Sequence, residues 1–439
     1  MIKTLFLALM MAALTLWAHP LMALEASEPQ ASEPTPSEAI KKLAEANAAF
    51  ALALYGQLAK PEGNLFFSPL SVSAVLALVH QGAKGETKSQ IEKTLRFPLE
   101  ATETPAQSMA ALSSYLEKRA KWPEINLKQD NDSHKYDEED LKRLKNAVKI
   151  ELNLANSLWP KVGLKIQPDY LKSLGENPPI FEVDYANDGQ GAKTKINDWI
   201  ADKTKGKIKN FLGSPPPPQS SLILVNAVYF LGQWTFPFNA ELTKPHDFVL
   251  ASGEKVEVPF LNQTKTFNYL EIDEGQILEL PYGAQDFSFL ILLPANKPSG
   301  LLELEKKLSQ ENLNNWRESL TQKRVIVSMP KFKTTWGTNS LTKPLIELGL
   351  KAPFQAGADF SGLVLNDNLL ISDVMQKAFV SLDESGTEAA AASAFLMATS
   401  AMINQTPPSF VADRPFIFLI QEKTTNSILF MGRLADPRS

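Results

Sequence analysis

Ten consecutive residues, Leu222-Ile-Leu-Val-Asn-Ala-Val-Tyr-Phe-Leu231, are apolar at odd and even positions alike, with Asn226 as the one strongly polar exception. A strand alternates its side chains between two faces, so a run of this kind has to be covered on both sides, as the central strand of a layered fold is. It demands a wide sheet with packing above and below. Asn226 then lies in the core and must find partners, because an unsatisfied buried amide costs about 1–3 kcal/mol.

Upstream of this strand the pattern is helical. From Ile40, apolar residues recur at Leu43, Ala46, Phe50, Leu54 and Leu58, with Ser37 placed to cap. Asn64-Leu-Phe-Phe-Ser-Pro-Leu-Ser-Val-Ser73 reads as a short strand running into a helix, with Ser68 as N-cap and Pro69 at the first helical position. Gly82 can end that helix, and Thr87-Lys-Ser-Gln90 reads as the capping box of the next. Downstream, Asp286 to Pro294 and Val325 to Met329 read as strands, and Phe416 to Ile420 with Ser427 to Met431 as a closing hairpin around Lys423 to Asn426. Helices mostly first and strands mostly later give a large α+β domain.

From Val374 to Leu382 a second strand pattern alternates Val374, Gln376, Ala378, Val380 and Leu382 against Met375, Lys377, Phe379, Ser381 and Asp383. Gly386 follows, free to take the backbone angles of a reversal. The tract from Asp383 to Pro415 then separates two strand-like segments, at far more than the about 4–6 residues of an ordinary connection. By propensity Thr387 to Met402 is helical, but such a helix would have no wide apolar stripe to bury. As a strand the same stretch has no proline before Pro407 and no charge between Glu388 and Asp413. Period 2 places Thr387, Ala389, Ala391, Ser393, Phe395 and Met397 on one face and Glu388 on the other, so the segment is fit to slide between two existing strands.

Asp383-Glu-Ser-Gly-Thr-Glu-Ala-Ala-Ala-Ala392 resembles the hinge of the reactive-centre loop in the serpins, a family of serine protease inhibitors, and the chain as a whole resembles bacterial-type inhibitory members with an export signal. Asn64 to Thr87, Asn153 to Pro160, Val183 to Tyr185 and Ile196 to Ile200 resemble further serpin segments in the expected order, so the likeness runs from about Ser37 to the C-terminus. It implies the serpin fold, with large mixed β-sheets, about eight or nine helices and an exposed loop over 384–414. The implied activity is suicide inhibition: a protease cuts the loop, stays acyl-linked, and is carried along as the freed segment enters the main sheet.

The resemblance also assigns residues. Sixteen positions past Glu384 is Ser400, which makes Ser400–Ala401 the reactive bond by family register. Bonds after Thr399 and Met402 also fit, because the tract from Ala401 to Arg414 is a few residues longer than usual. The hinge comprises Glu384, Gly386, Thr387, Glu388, Ala389, Ala390, Ala391 and Ala392. Ser68, Ser71 and Asn226 match the family's polar cluster beneath the sheet; its fourth member is typically histidine, and here it is Gln376, which donates and accepts but cannot titrate. Trp234, Lys331 and Glu384 match the point of strand entry, where a Lys–Glu pair would hold the strand ends. No Lys or Arg lies between Ser385 and Asp413, so a trypsin-like protease finds nothing to cut after, whereas Ser, Ala, Thr and Met suit elastase-like or subtilisin-like serine proteases. The alternative is a non-inhibitory serpin, a carrier, chaperone or storage protein, against which the small hinge residues argue.

The first residues, Met-Ile-Lys and an apolar run from Thr4 to Ala18, are shorter than the ~20 of a bilayer span and fit a secretory leader. Ala23 is the cleavage position, although Leu21 departs from the small-residue rule and leaves an uncleaved anchor open. The organisation expected is therefore a signal peptide over 1–23, a flexible Pro/Glu/Ser-rich tether over 24–37 and one serpin domain over 38–439, exported to the periplasm or medium as a monomer. A net charge of −5 and a pI near 5.6 give no reason to expect nucleic acid. The lysines between Lys193 and Lys209 read as a solvated helix face, and the charged stretch Lys121 to Lys149 as an insertion lacking a calcium loop's glycine and terminal glutamate. With no cysteine, no Gly-x-Ser-x-Gly, no His-Glu-x-x-His and only four histidines, neither catalysis, metal nor cofactor is expected.

Overall fold

The computed structural model describes residues 32–60, 63–98, 104–134, 138–175, 179–365, 368–387 and 406–438. Glu33–Ser439 make one compact unit. Four helices open it: α1 (Glu38–Leu58), α2 (Pro69–His80), α3 (Gly85–Leu95) and α4 (Pro105–His134). Ser37 caps α1, its side chain accepting from the Ile40 amide. Ser68 caps α2 from just ahead of Pro69. The capping box fails at α3: the helix starts at Gly85, and the Thr87 hydroxyl instead accepts from the Asp359 amide. Gln90 likewise turns outward to accept from the Lys351 and Ala352 amides, so a local motif has been recruited to a distant loop. The charged stretch after Lys121 is helical, in α4 and a second helix at Glu138–Ala147. Ten α-helices occur among the described residues, close to the number expected.

Fourteen strands complete the unit among the described residues. β1 (Leu65–Phe67), β2 (Ile150–Pro160), β3 (Leu222–Gln233), β4 (Lys244–Val249) and β5 (Lys255–Ile272) come first. β6 (Gly275–Tyr282), β7 (Phe287–Pro294), β8 (Thr321–Pro330) and β9 (Phe332–Ser340) follow. β10 (Asp373–Leu382), β11 (Gly386–Thr387), β12 (Ser409–Val411), β13 (Phe416–Glu422) and β14 (Ser427–Leu434) close the chain. One sheet of nine strands runs β1-β14-β13-β7-β6-β5-β8-β12, with β4 on β5. The other runs β2-β3-β11-β10-β9, and there β3 and β10 also pair directly.

The five-stranded sheet carries the expected two-sided burial. Even-numbered residues of β3, such as Leu222, Leu224 and Val228, join the main core, to which Phe67 and Val75 also belong. Odd-numbered Ile223, Val225 and Ala227 face a second cluster with Trp159, Ile196 and Ile200, supplied by β2 and the Gly189–Lys203 helix. β10 alternates as its sequence predicts, with Val374, Gln376, Ala378, Val380 and Leu382 buried. Ahead of α1, Glu33 is held by the buried Arg119 guanidinium.

Candidate functional site: a sheet parted at one end

β3 and β10 are parallel neighbours along their first halves, from Asp373 against Ile223 to Ala378 against Val228. Beyond that point the two part, and β11 occupies the gap. Thr387 pairs antiparallel with Leu382 on one side and with Gly232 on the other, and Gly386 with Gln233. Among the described residues the sheet is therefore closed for half its length and split at its end by Gly386 and Thr387.

A turn places this pair. Asp383 donates its amide to the Gly386 carbonyl at 2.9 Å, and its carboxylate accepts from the Ser385 and Gly386 amides. Gly386 has φ +155°, and a Cβ there would lie 2.0 Å from the Gly232 carbonyl oxygen, so only glycine lets the backbone approach this closely. Thr387 is 1% exposed, its hydroxyl bonded to Tyr282. Trp234 stacks on the Tyr282 ring with centroids 4.5 Å apart and donates its indole N–H to the Asp383 carbonyl at 2.9 Å.

Lys331 and Glu384 meet beside this turn, Nζ to Oε2 at 2.7 Å, while the Thr243 hydroxyl donates to the other carboxylate oxygen at 2.9 Å. Burial disfavours the charged form of Glu384, yet these donors outweigh it and hold its carboxyl below the usual range. Asp383 goes the opposite way, pushed up by burial against the two backbone amides that lower it.

Where the closed half begins, a polar cluster sits beneath the sheet. Gln376 accepts from the Ser68 amide and donates to the Ser68 carbonyl, each at 3.0 Å, and its amide nitrogen also reaches Asn226 Oδ1. Asn226 donates to Ser71 and to Asn156, and Ser71 donates to Asn156 at 2.9 Å. The four expected residues are thus together, with a fifth that sequence reasoning missed. Asn156 lies on β2 directly opposite Asn226, and it could have been found by aligning the two strands' polar interruptions once their register was known.

Glu388, Ala389, Ala390, Ala391 and Ala392 of the hinge, and Thr399, Ser400, Ala401 and Met402 around the reactive bond, lie outside the described residues, as does the leader. Among the described residues no helix is long and apolar enough to cross a membrane, and no three acidic or histidine side chains gather as metal ligands would.

Residues 45–437 match the family model described as serpin (serine protease inhibitor). The chain is 36% identical over 384 residues to the leukocyte elastase inhibitor of Xenopus tropicalis, covering 85% of this chain and 93% of that protein. Among solved structures it is similar to maspin, with a TM-score of 0.76, 28% identity, and 91% and 100% of the two chains covered. It is similar to human thyroxine-binding globulin at a TM-score of 0.75, with the same identity and coverage.

Proposed function

The chain belongs to the serpin family, and on that premise we propose that it is a suicide-substrate inhibitor of elastase-like or subtilisin-like serine proteases. The observation that carries this reading is the pair Gly386–Thr387, seated between β3 and β10. The protease serine attacks the Ser400 carbonyl, the Ser400–Ala401 amide breaks with Ala401 leaving as a new amino terminus, and an ester joins the two proteins. The hinge, now released from its far end, continues into the sheet from Thr387 and carries the ester-linked protease with it. Ester hydrolysis competes with this movement, so fast entry of small residues, Ala389 to Ala392, favours the trapped complex over release.

The target class rests on the absence of Lys and Arg between Ser385 and Asp413, and the name of the Xenopus relative, an elastase inhibitor, supports the same class. Residues 1–23 are proposed as an export leader, which would place the inhibitor outside the cytoplasm.

An elastase-like enzyme should give an SDS-resistant adduct with the full chain and trypsin should give none. Cleaved chain without adduct would assign the protein to the non-inhibitory members. Thr387→Arg, which forces a charge into a fully buried position, should convert adduct into cleaved product while leaving the cutting rate alone.

A further inference from the structure

A cavity of about 620 Å³ opens on the outer face of the five-stranded sheet, at the closed end of the β3–β10 seam. Ile223 and Met375 of the two strands line it, with Ser221, Ser372 and the run from Pro215 to Pro217. The seam is clamped here: the Ser221 amide donates to the Ser372 hydroxyl, and the Ser372 amide to the Leu222 carbonyl, each at 2.8 Å.

The register of the sheet says what can reach this place. Leu382 and Gly232, which flank Thr387, are 150 positions apart, and so are Asp373 and Ile223, which touch directly. β3 and β10 therefore keep one alignment whether or not a strand lies between them, and need only move apart sideways to admit one. A strand continued from Thr387 in that register sets Leu396 between Ile223 and Asp373, and Met397 between Leu222 and Ser372. Thr387 points inward, so odd-numbered residues face the core and even-numbered ones the outer face. The outward set is then Glu388, beside Leu231 and Ser381 at the open end, followed by Ala390, Ala392, Ala394, Leu396 and Ala398. The partners of Ala392 and Ala394 on β3 are Ala227 and Val225, which share a buried cluster with Ala192, Ile196 and Ile200 of the Gly189–Lys203 helix, as does Ile223 beside the cavity. The outward residues along that stretch are alanines, and the one bulky apolar outward residue, Leu396, falls beside the cavity.

We propose that this cavity is a binding site for a branched apolar side chain presented on an extended backbone, and that its occupant is Leu396 of the cut chain. The inference rests on the insertion reading above and adds where the inserted strand is anchored. Leu396 fills the cavity and ties the run from Pro215 to Pro217 to both strands, so the last step of insertion locks at the end remote from the hinge.

The chain has no cysteine, so Leu396→Cys supplies a single thiol for an environment-sensitive fluorophore on the full-length protein. Cutting the loop with an elastase-like enzyme should blue-shift the emission and raise the melting temperature together. A raised melting temperature without the blue shift would overturn the cavity assignment and leave insertion standing; neither change would remove both. An unlabelled variant, Leu396→Asp, should melt with wild type while intact and below wild type once cut. Equal melting of the two cut forms would also overturn the assignment.

Discussion

Gln376 stands where the family usually has histidine, and it satisfies both backbone groups of Ser68 with one amide. Replacing it with Leu would strand the Ser68 amide and the Asn226 side-chain oxygen in the core, at about 1–3 kcal/mol for each unsatisfied group. Gln376→His should instead keep most of the network and introduce a titration the natural chain lacks. Burial with no carboxylate bonded to Gln376 would depress the folded pKa of that imidazole, so its stability is present above the unfolded value and lost as pH falls below about 6.5. Thermal midpoints between neutral and mildly acidic pH should therefore be flatter for wild type than for the variant. Gly386→Ala should cost about 1–3 kcal/mol through overpacking against Gly232, read as a lower melting temperature of the intact protein. Gln376 was legible from the sequence because alternation sends it to the apolar face of its strand, and Asn226 because its run must be covered on both faces; that the two share a cluster came from the family resemblance. Asn156 was not, since its place in the cluster depends on the register between two strands some seventy positions apart.

At the scale of elements, the β10–β11 turn balances two carboxyls of opposite tendency. Glu384 titrates below its ordinary value, so its contribution is complete above the carboxylate range and disappears as pH falls through the folded pKa. Asp383 titrates above its ordinary value, so ionising it weakens the turn as pH rises. Lys331→Met removes the cation bonded to Glu384 and should lower stability near neutrality by up to about 1 kcal/mol, since Lys331 is partly exposed. In acid, with Glu384 protonated in both proteins, the variant and wild type should converge; a pH series of melting temperatures checks this. The strands themselves were readable from apolar runs and alternation. The start of α3 was not, because Thr87 and Gln90 are spent on the segments around Asp359 and Lys351, and no local rule announces a tertiary partner. The parallel contact of β3 with β10 was equally hidden, joining residues 150 apart whose adjacency only the folded sheet reveals.

For the whole molecule, the proposed mechanism requires that the intact fold be held by a barrier rather than by equilibrium. A strand added between β3 and β10 would extend the ladder through the seam and bury Phe395 and Met397, which gain about 0.8 kcal/mol for each CH₂ removed from water. Protein cut in the loop should therefore melt well above the intact form, and equal melting temperatures would remove the driving force from the proposed mechanism. How far the rest of the fold must yield follows from the grip of Gln376 on Ser68. By taking both the amide and the carbonyl of one residue, that side chain imitates a neighbouring strand, and it yokes the first turn of α2 to the middle of β10. Whatever drives β10 sideways must haul α2 with it or tear two buried bonds at once, so the inertia of the transition includes that helix.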